Sequence, residues 1–239
     1  MTVKCSEAAD AYTPYETSGS PSGPVSKYPW RGQGSMYPDG DEQFASYGSP
    51  LPKTVECSND KGERDYLDVT DGCLSAVNIG TYTRGQIHAA SDDAFRTVAL
   101  GYGANNDAPM KWTDMGESYR FYYSGTHGTT NNPGFKAFLR YRTEDDLYVA
   151  SWRVDGVAQI QRKHCGVYTP LVVKKGYGAP SLNAWHTIEF TAVGNQLDVY
   201  LDGDHALSVQ DSVFSWGTAG IRADAMDGAY LDDWTVFAP

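Results

Sequence analysis

At 239 residues the chain is long for one domain, but all-β sandwiches reach this size as a single unit, so one domain spanning 1–239 with a sizeable core is expected. Its many Gly, Tyr, Trp and Thr residues, with no long apolar run, exclude a membrane-spanning helix and point to strands and turns. A formal net charge of -11 at pH 7 argues against nucleic acid or an anionic membrane as partner, although Lys136 to Lys175 carries eight Lys and Arg against four acids.

From Met1 to about Pro52 the chain is rich in Gly, Pro, Ser and Tyr with little periodicity. Tyr12, Tyr15, Tyr28, Trp30 and Tyr37 make it too aromatic for a disordered tail. The expectation is an ordered coil, residues 1–52, wrapped on a sandwich. The four cysteines, Cys5, Cys57, Cys73 and Cys165, lack zinc-site spacing, and an even number at wide separation fits two disulfides. Two bridges imply an oxidising compartment, hence secretion. Met1-Thr2-Val3-Lys4 runs straight into polar sequence, as in a mature form given a start methionine. A monomer is expected.

Beyond the coil, short alternating segments recur between turn signals, the pattern of an antiparallel sandwich. It predicts strands at 67–70, 74–79, 81–89, 97–102, 118–124, 134–142, 147–154, 157–161, 185–193, 196–201, 216–223 and 230–237, with one helical turn near Ser91 to Phe95. Trp185 to Phe190 followed by Asn195 to Gly203 reads as a strand, a tight turn and a second strand ending at Asp202-Gly203. A strand from Gly217 to Ala223 and another from Tyr230 to Val236 follow. This order resembles the C-terminal half of the concanavalin-like or laminin-G-like sandwiches, whose members are lectins, binding modules, glycosidases and polysaccharide lyases. The resemblance covers about the last 60 residues and implies an all-β jelly-roll fold.

Side chains alternate between the faces of a strand. On that rule Arg84, Gln86 and His88 share the face opposite Ile87; Lys136, Phe138, Arg140 and Arg142 share the face opposite Leu139; Asp198 and Tyr200 lie opposite the aliphatic set; and Arg222 points outward. Such an inventory suits β-elimination on a uronic-acid polymer. That reaction needs a donor to neutralise the carboxylate, a base for the C5 proton and an acid for the leaving oxygen. Gln86-Ile87-His88 resembles the Gln-Ile-His motif of jelly-roll alginate lyases, in which Gln binds the carboxylate while His and a Tyr move protons. Where those enzymes carry Lys-Ala-Gly-x-Tyr, this chain has Thr218-Ala219-Gly220-Ile221-Arg222, which favours a sister family, the calcium-containing glucuronan lyases. The resemblance implies Gln86, His88 and Tyr200 as catalytic residues, with Tyr200 replacing the missing tyrosine one strand away, and Arg84, Lys136, Arg140, Arg142 and Arg222 as substrate-binding residues.

Consecutive carboxylates on the closing strand of this fold, here Asp232 and Asp233, commonly meet the N-terminal segment around a structural calcium ion, to which Asp39, Asp41 or Glu42 would contribute. The leading expectation is therefore a secreted, endo-acting polyuronate lyase with an anionic polysaccharide as substrate, glucuronan foremost. The alternative is a non-catalytic lectin-like module that stacks sugar rings on Trp152, Trp185, Trp216 and tyrosines. Glycoside hydrolysis would need two carboxylates across the bond, usually Glu-x-Asp-x-(x)-Glu in this fold, and no such string occurs.

Overall fold

A computed structural model describes residues 15–19, 45–46, 49–50, 67–71, 73–79, 82–88, 94–99, 110–127, 132–143 and 145–239, with side chains at 95–96, 112–127, 132–142 and 145–239. Its strands are, in chain order, β1 (Tyr15–Gly19), β2 (Ala45–Ser46), β3 (Ser49–Pro50), β4 (Leu67–Asp71), β5 (Cys73–Ile79), β6 (Tyr82–His88), β7 (Ala94–Ala99), β8 (Met110–Trp112), β9 (Met115–Tyr122) and β10 (Gly125–Thr126). They continue as β11 (Gly134–Thr143), β12 (Asp146–Arg153), β13 (Ala158–His164), β14 (Val167–Lys174), β15 (His186–Val193), β16 (Gln196–Leu201), β17 (Asp204–Gln210), β18 (Thr218–Asp224), β19 (Met226–Asp227) and β20 (Tyr230–Phe237). Apart from β1 to β3, the expected N-terminal coil lies outside the described residues.

Fourteen of these strands form two seven-stranded antiparallel sheets. The first has the order β14-β13-β12-β11-β18-β7-β4 and the second β17-β16-β15-β9-β20-β6-β5. Alternation explains the second sheet directly: in β15 His186, Ile188, Phe190 and Ala192 are buried, whereas Thr187, Glu189 and Thr191 lie on the other side. The Asp202-Gly203 turn joins β16 to β17 with φ of 52° and 85°, the pair of positive angles that a type I′ hairpin needs. Between the sheets Phe121 of β9 stacks on Phe135 of β11 with centroids 4.0 Å apart, and Trp152 meets Phe121 edge-on at 5.9 Å. Each such side chain contributes roughly 1.5–3 kcal/mol by leaving water.

The first sheet is buried on both faces at its centre. Phe135, Ala137 and Leu139 of β11 enter the inter-sheet core, while Phe138 joins Tyr141, Leu147 and Val149 in a second buried cluster on the outer side. At Arg140 the alternation breaks. Its φ is 50°, and the pairing of β11 slips against both β12 and β18 around this residue. Gly217 makes the bulge possible, because a Cβ there would sit 2.2 Å from the carbonyl carbon of Arg140. The expected helical turn at 91–95 is also corrected, since Ala94 and Phe95 already belong to β7.

Candidate functional site

One transverse row of polar side chains crosses five adjacent strands on the outer face of the first sheet. Pairing register aligns Gln159 (β13), Ser151 (β12), Lys136 (β11), Arg222 (β18) and Arg96 (β7). Strands lie about 4.8 Å apart, so the row runs for about 19 Å. Such groups are costly to bury unless they are bonded. Here Asp224, fully buried, organises the centre: Arg222 donates to it through Nε at 2.8 Å and through its terminal nitrogen at 2.7 Å, and the Lys136 ammonium donates to its other oxygen.

Burial pulls the Lys136 ammonium below the ordinary lysine range, an effect that Asp224 opposes and that Arg222 and Arg153 reinforce. Arg153 occupies the next row, paired with Asp155. Lys136 and Arg222 thus share Asp224, Arg153 pairs with Asp155, and β4 sets Asp71 opposite Arg96 in register. The Ser151 hydroxyl is buried without a hydrogen-bond partner, and the Gln159 amide donates to Gln161 at 3.1 Å. Alongside the row, Phe138 and Val149 form an apolar floor next to Gly220, where the face has no side chain.

Lys136 and Arg222 are therefore brought together as the sequence suggests, but the other expected members are not. Arg140 is 1% exposed and clamps three loops, donating to the carbonyls of Thr113 at 3.1 Å, Phe214 at 2.7 Å and Gly194 at 2.7 Å. The bulge turns it off the face that it was expected to share with Lys136. Arg142 lies over the Trp216 ring at 4.3 Å and donates to the Trp216 carbonyl, so it too serves the loop before β18.

Tyr200, expected one strand from the position that Arg222 fills, lies on β16 of the second sheet while Arg222 is on β18 of the first, and β15, β9 and β20 separate it from Gln86 and His88 on β6. Its neighbours are Glu189 and His205, the latter with its ring centroid at 5.0 Å. Arg84, Gln86 and His88 all lie on β6, and their side chains lie outside the described residues. The expected catalytic set and the Lys136–Arg222 pair thus occupy different sheets. Hairpin reasoning from neighbouring segments missed this, because β6 pairs with the distant C-terminal strand β20.

Asp233 hydrogen-bonds Arg120 at 3.1 Å, whereas Asp232 is fully buried and accepts the Asp233 N–H at 3.0 Å. The β20 pairing slips between Asp232 and Thr235, and Asp233 is turned to a cation, Arg120. Asp39, Asp41 and Glu42 lie outside the described residues. Among those described, Asp146, His164 and Cys165 form the one compact trio of metal-ligating types. Cys165 is disulfide-bonded, so its sulfur cannot serve as a thiolate ligand.

Of the three tryptophans considered as platforms, Trp152 belongs to the core and Trp216 carries Arg142. Trp185 is half-buried on the outer side of the second sheet, 5.7 Å from Tyr122, which in turn lies 5.7 Å from Tyr230. Sequence reasoning also missed Arg96, Asp224, Ser151 and Gln159. Alternation does mark Ser151 and Gln159 as facing away from Trp152 and Ile160, and this signal was there to be used.

These sheets define an antiparallel β-sandwich of the jelly-roll type, the architecture shared by carbohydrate-binding modules and lectins. The fold is shared with a solved structure: the carbohydrate-binding module CBM66 from Bacillus subtilis superposes with a TM-score of 0.55 at 15% identity, covering 72% of this chain and 94% of that one. The exoplasmic/lumenal domain of VIP36, in its Ca2+/Man-bound form, gives a TM-score of 0.49 at 11% identity over 72% of this chain and 83% of that one. The Caenorhabditis elegans galectin LEC-6 gives 0.39 at 15% over 62% and 97%. No family model matches the chain, and no curated protein matches it.

Proposed function

We propose that the protein is a carbohydrate-binding β-sandwich module that takes an acidic polysaccharide across the outer face of its first sheet. The observation that carries this reading is the row Gln159–Ser151–Lys136–Arg222–Arg96. Its Arg222 guanidinium, partly exposed and fixed on Asp224, is oriented before any ligand arrives, and the other members of the row lie buried beside it. The fold common to this chain and CBM66 supports the reading. Polyuronates, glucuronan foremost, are the ligands best suited to the cations. We place the protein outside the cell, as a monomer, a compartment consistent with the Cys165 disulfide.

Affinity electrophoresis in gels containing glucuronan, alginate or pectate tests the proposal. Retardation by one polymer that falls about tenfold in Arg222→Ala supports it, as expected for losing a charge-assisted contact worth about 1.5–3 kcal/mol. Equal migration with and without every polymer defeats it.

Eliminative cleavage is the second reading, favoured by the same cations, which would neutralise a uronate carboxylate as the reaction requires. Ultraviolet absorbance of the unsaturated uronate product distinguishes a lyase from a binder. With Tyr200 four strands from β6, Tyr200→Phe is expected to leave both binding and any such product unchanged. A structural calcium ion, if held, would fall to Asp232 together with the N-terminal segment. Chelation should then lower Tm in the wild type and leave Asp232→Asn unaffected.

A further inference from the structure

The outer side of the second sheet carries a feature that the acidic-polymer reading does not use. Trp185, Tyr122 and Tyr230 form a line of three aromatic rings that runs from the loop before β15 across β9 to β20, with successive centroids 5.7 Å apart. Register continues the line to Gln86 of β6, opposite Tyr230. All three rings are half-buried and so keep part of their surface toward solvent.

Polar groups fix the rings in place. The Tyr122 hydroxyl donates to Asn183 at 3.0 Å, and Asn183, itself exposed, is anchored by its N–H on the Tyr123 carbonyl at 2.9 Å. Arg120 lies 4.9 Å from the Trp185 centroid and is neutralised by Asp233 at 3.1 Å. The patch therefore combines aromatic faces, an amide and a hydroxyl with one internally balanced ion pair.

We infer that this patch is a second saccharide site, selective for neutral pyranose chains, on the side of the sandwich opposite the cationic row. Pyranose rings present C–H faces to aromatic side chains and hydroxyls to amides at the rim. Among the described side chains the Arg120–Asp233 pair is balanced and adds no net charge to attract a uronate, whereas Lys136 and Arg222 share the single charge of Asp224 on the first sheet's face. The rings and their rim partners are already held by each other, so little ordering is needed on binding. Because the two faces point away from each other, one molecule can engage two polymer chains. The inference stands independently of the acidic-polymer reading.

Affinity electrophoresis of the full chain in hydroxyethyl cellulose, xylan and galactomannan gels tests it. Retardation by at least one of these neutral polymers is expected. It should persist at high salt and weaken about tenfold in the double variant Tyr122→Ala, Tyr230→Ala. A saturable change in tryptophan fluorescence on adding the same polymer, present in the wild type and lost in Trp185→Phe, gives a readout that does not depend on the double variant folding. Absence of retardation by all three polymers overturns the inference, as does retardation that the double variant retains in full or that salt abolishes. Failure of the acidic-polymer reading would instead appear in the glucuronan, alginate and pectate gels.

Discussion

The indole Nε1 of Trp234 donates to Glu117 Oε2 at 2.9 Å between neighbouring strands of the second sheet, and both side chains are sealed in the core. Glu117 projects inward with Phe190 and Val236, its register neighbours, where only aliphatic and aromatic groups would be expected. Burial raises its carboxyl well above the ordinary range, against smaller opposing effects from Trp234 and from the backbone of Phe138 and Gly220 in the facing sheet. Burial therefore favours the neutral acid in the fold.

This sets a direction for stability against pH. The folded state holds the Glu117 proton at pH values where the unfolded chain has released it, so the contribution is complete below the ordinary carboxylate pKa. It is lost progressively as pH rises toward the raised folded value. Glu117→Gln keeps the shape and removes the titration. Urea unfolding across pH should therefore show a wild-type stability that falls relative to this variant as pH rises above about 4.3. A constant difference between the two proteins at all pH values would remove Glu117 from the account.

Arg140 should behave as a structural residue. Its guanidinium satisfies the carbonyls of Thr113, Gly194 and Phe214, and truncation leaves these groups without their donor. Arg140→Ala is expected to cost about 2–4 kcal/mol in urea unfolding, and Arg140→Lys to recover little, because an ammonium cannot reproduce the planar fork. Polysaccharide affinity of the folded fraction should stay at the wild-type level. A stable Arg140→Ala protein that fails to bind would return Arg140 to the ligand face.

Gly217 is tied to the same bulge. With a Cβ at 2.2 Å from the Arg140 carbonyl carbon, backbone would have to move to admit alanine. Gly217→Ala is expected to destabilise by about 1–3 kcal/mol. Adding it to Arg140→Ala should cost less than the sum of the two single effects, since both disturb one bulge. Additive losses in a double-mutant cycle would separate the two residues.

Alternation made most of the fold legible. The segments 196–201 and 230–237 are strands with the expected ends, and Asp202-Gly203 is the expected turn. Val167–Lys174 escaped notice because it is an edge strand, with Val167, Tyr168 and Val173 exposed and Pro170 within it, so neither alternation nor composition marks it. The site was legible only where strand neighbours are also chain neighbours or where one residue's face suffices, as for Lys136 and Arg222. Two things hid the rest: a positive φ at Arg140, a residue type with no preference for it, and the pairing of β6 with β20, which lies about 140 residues away along the chain. Local pattern contains neither.

Asp224 is the common acceptor of Lys136 and Arg222 at the middle of the polar row, and it is fully buried. Asp224→Asn retains the shape but removes the negative charge, leaving the buried Lys136 and the part-buried Arg222 to repel each other. The expected loss of stability is about 3–5 kcal/mol, the range for breaking a buried pair from one side. Part of this loss should be recovered in the presence of glucuronan, because a bound carboxylate would supply the missing charge, and added salt should reduce that recovery. A melting temperature of Asp224→Asn that glucuronan leaves unchanged at low salt would show that the cations of this face do not meet the polymer's carboxylates.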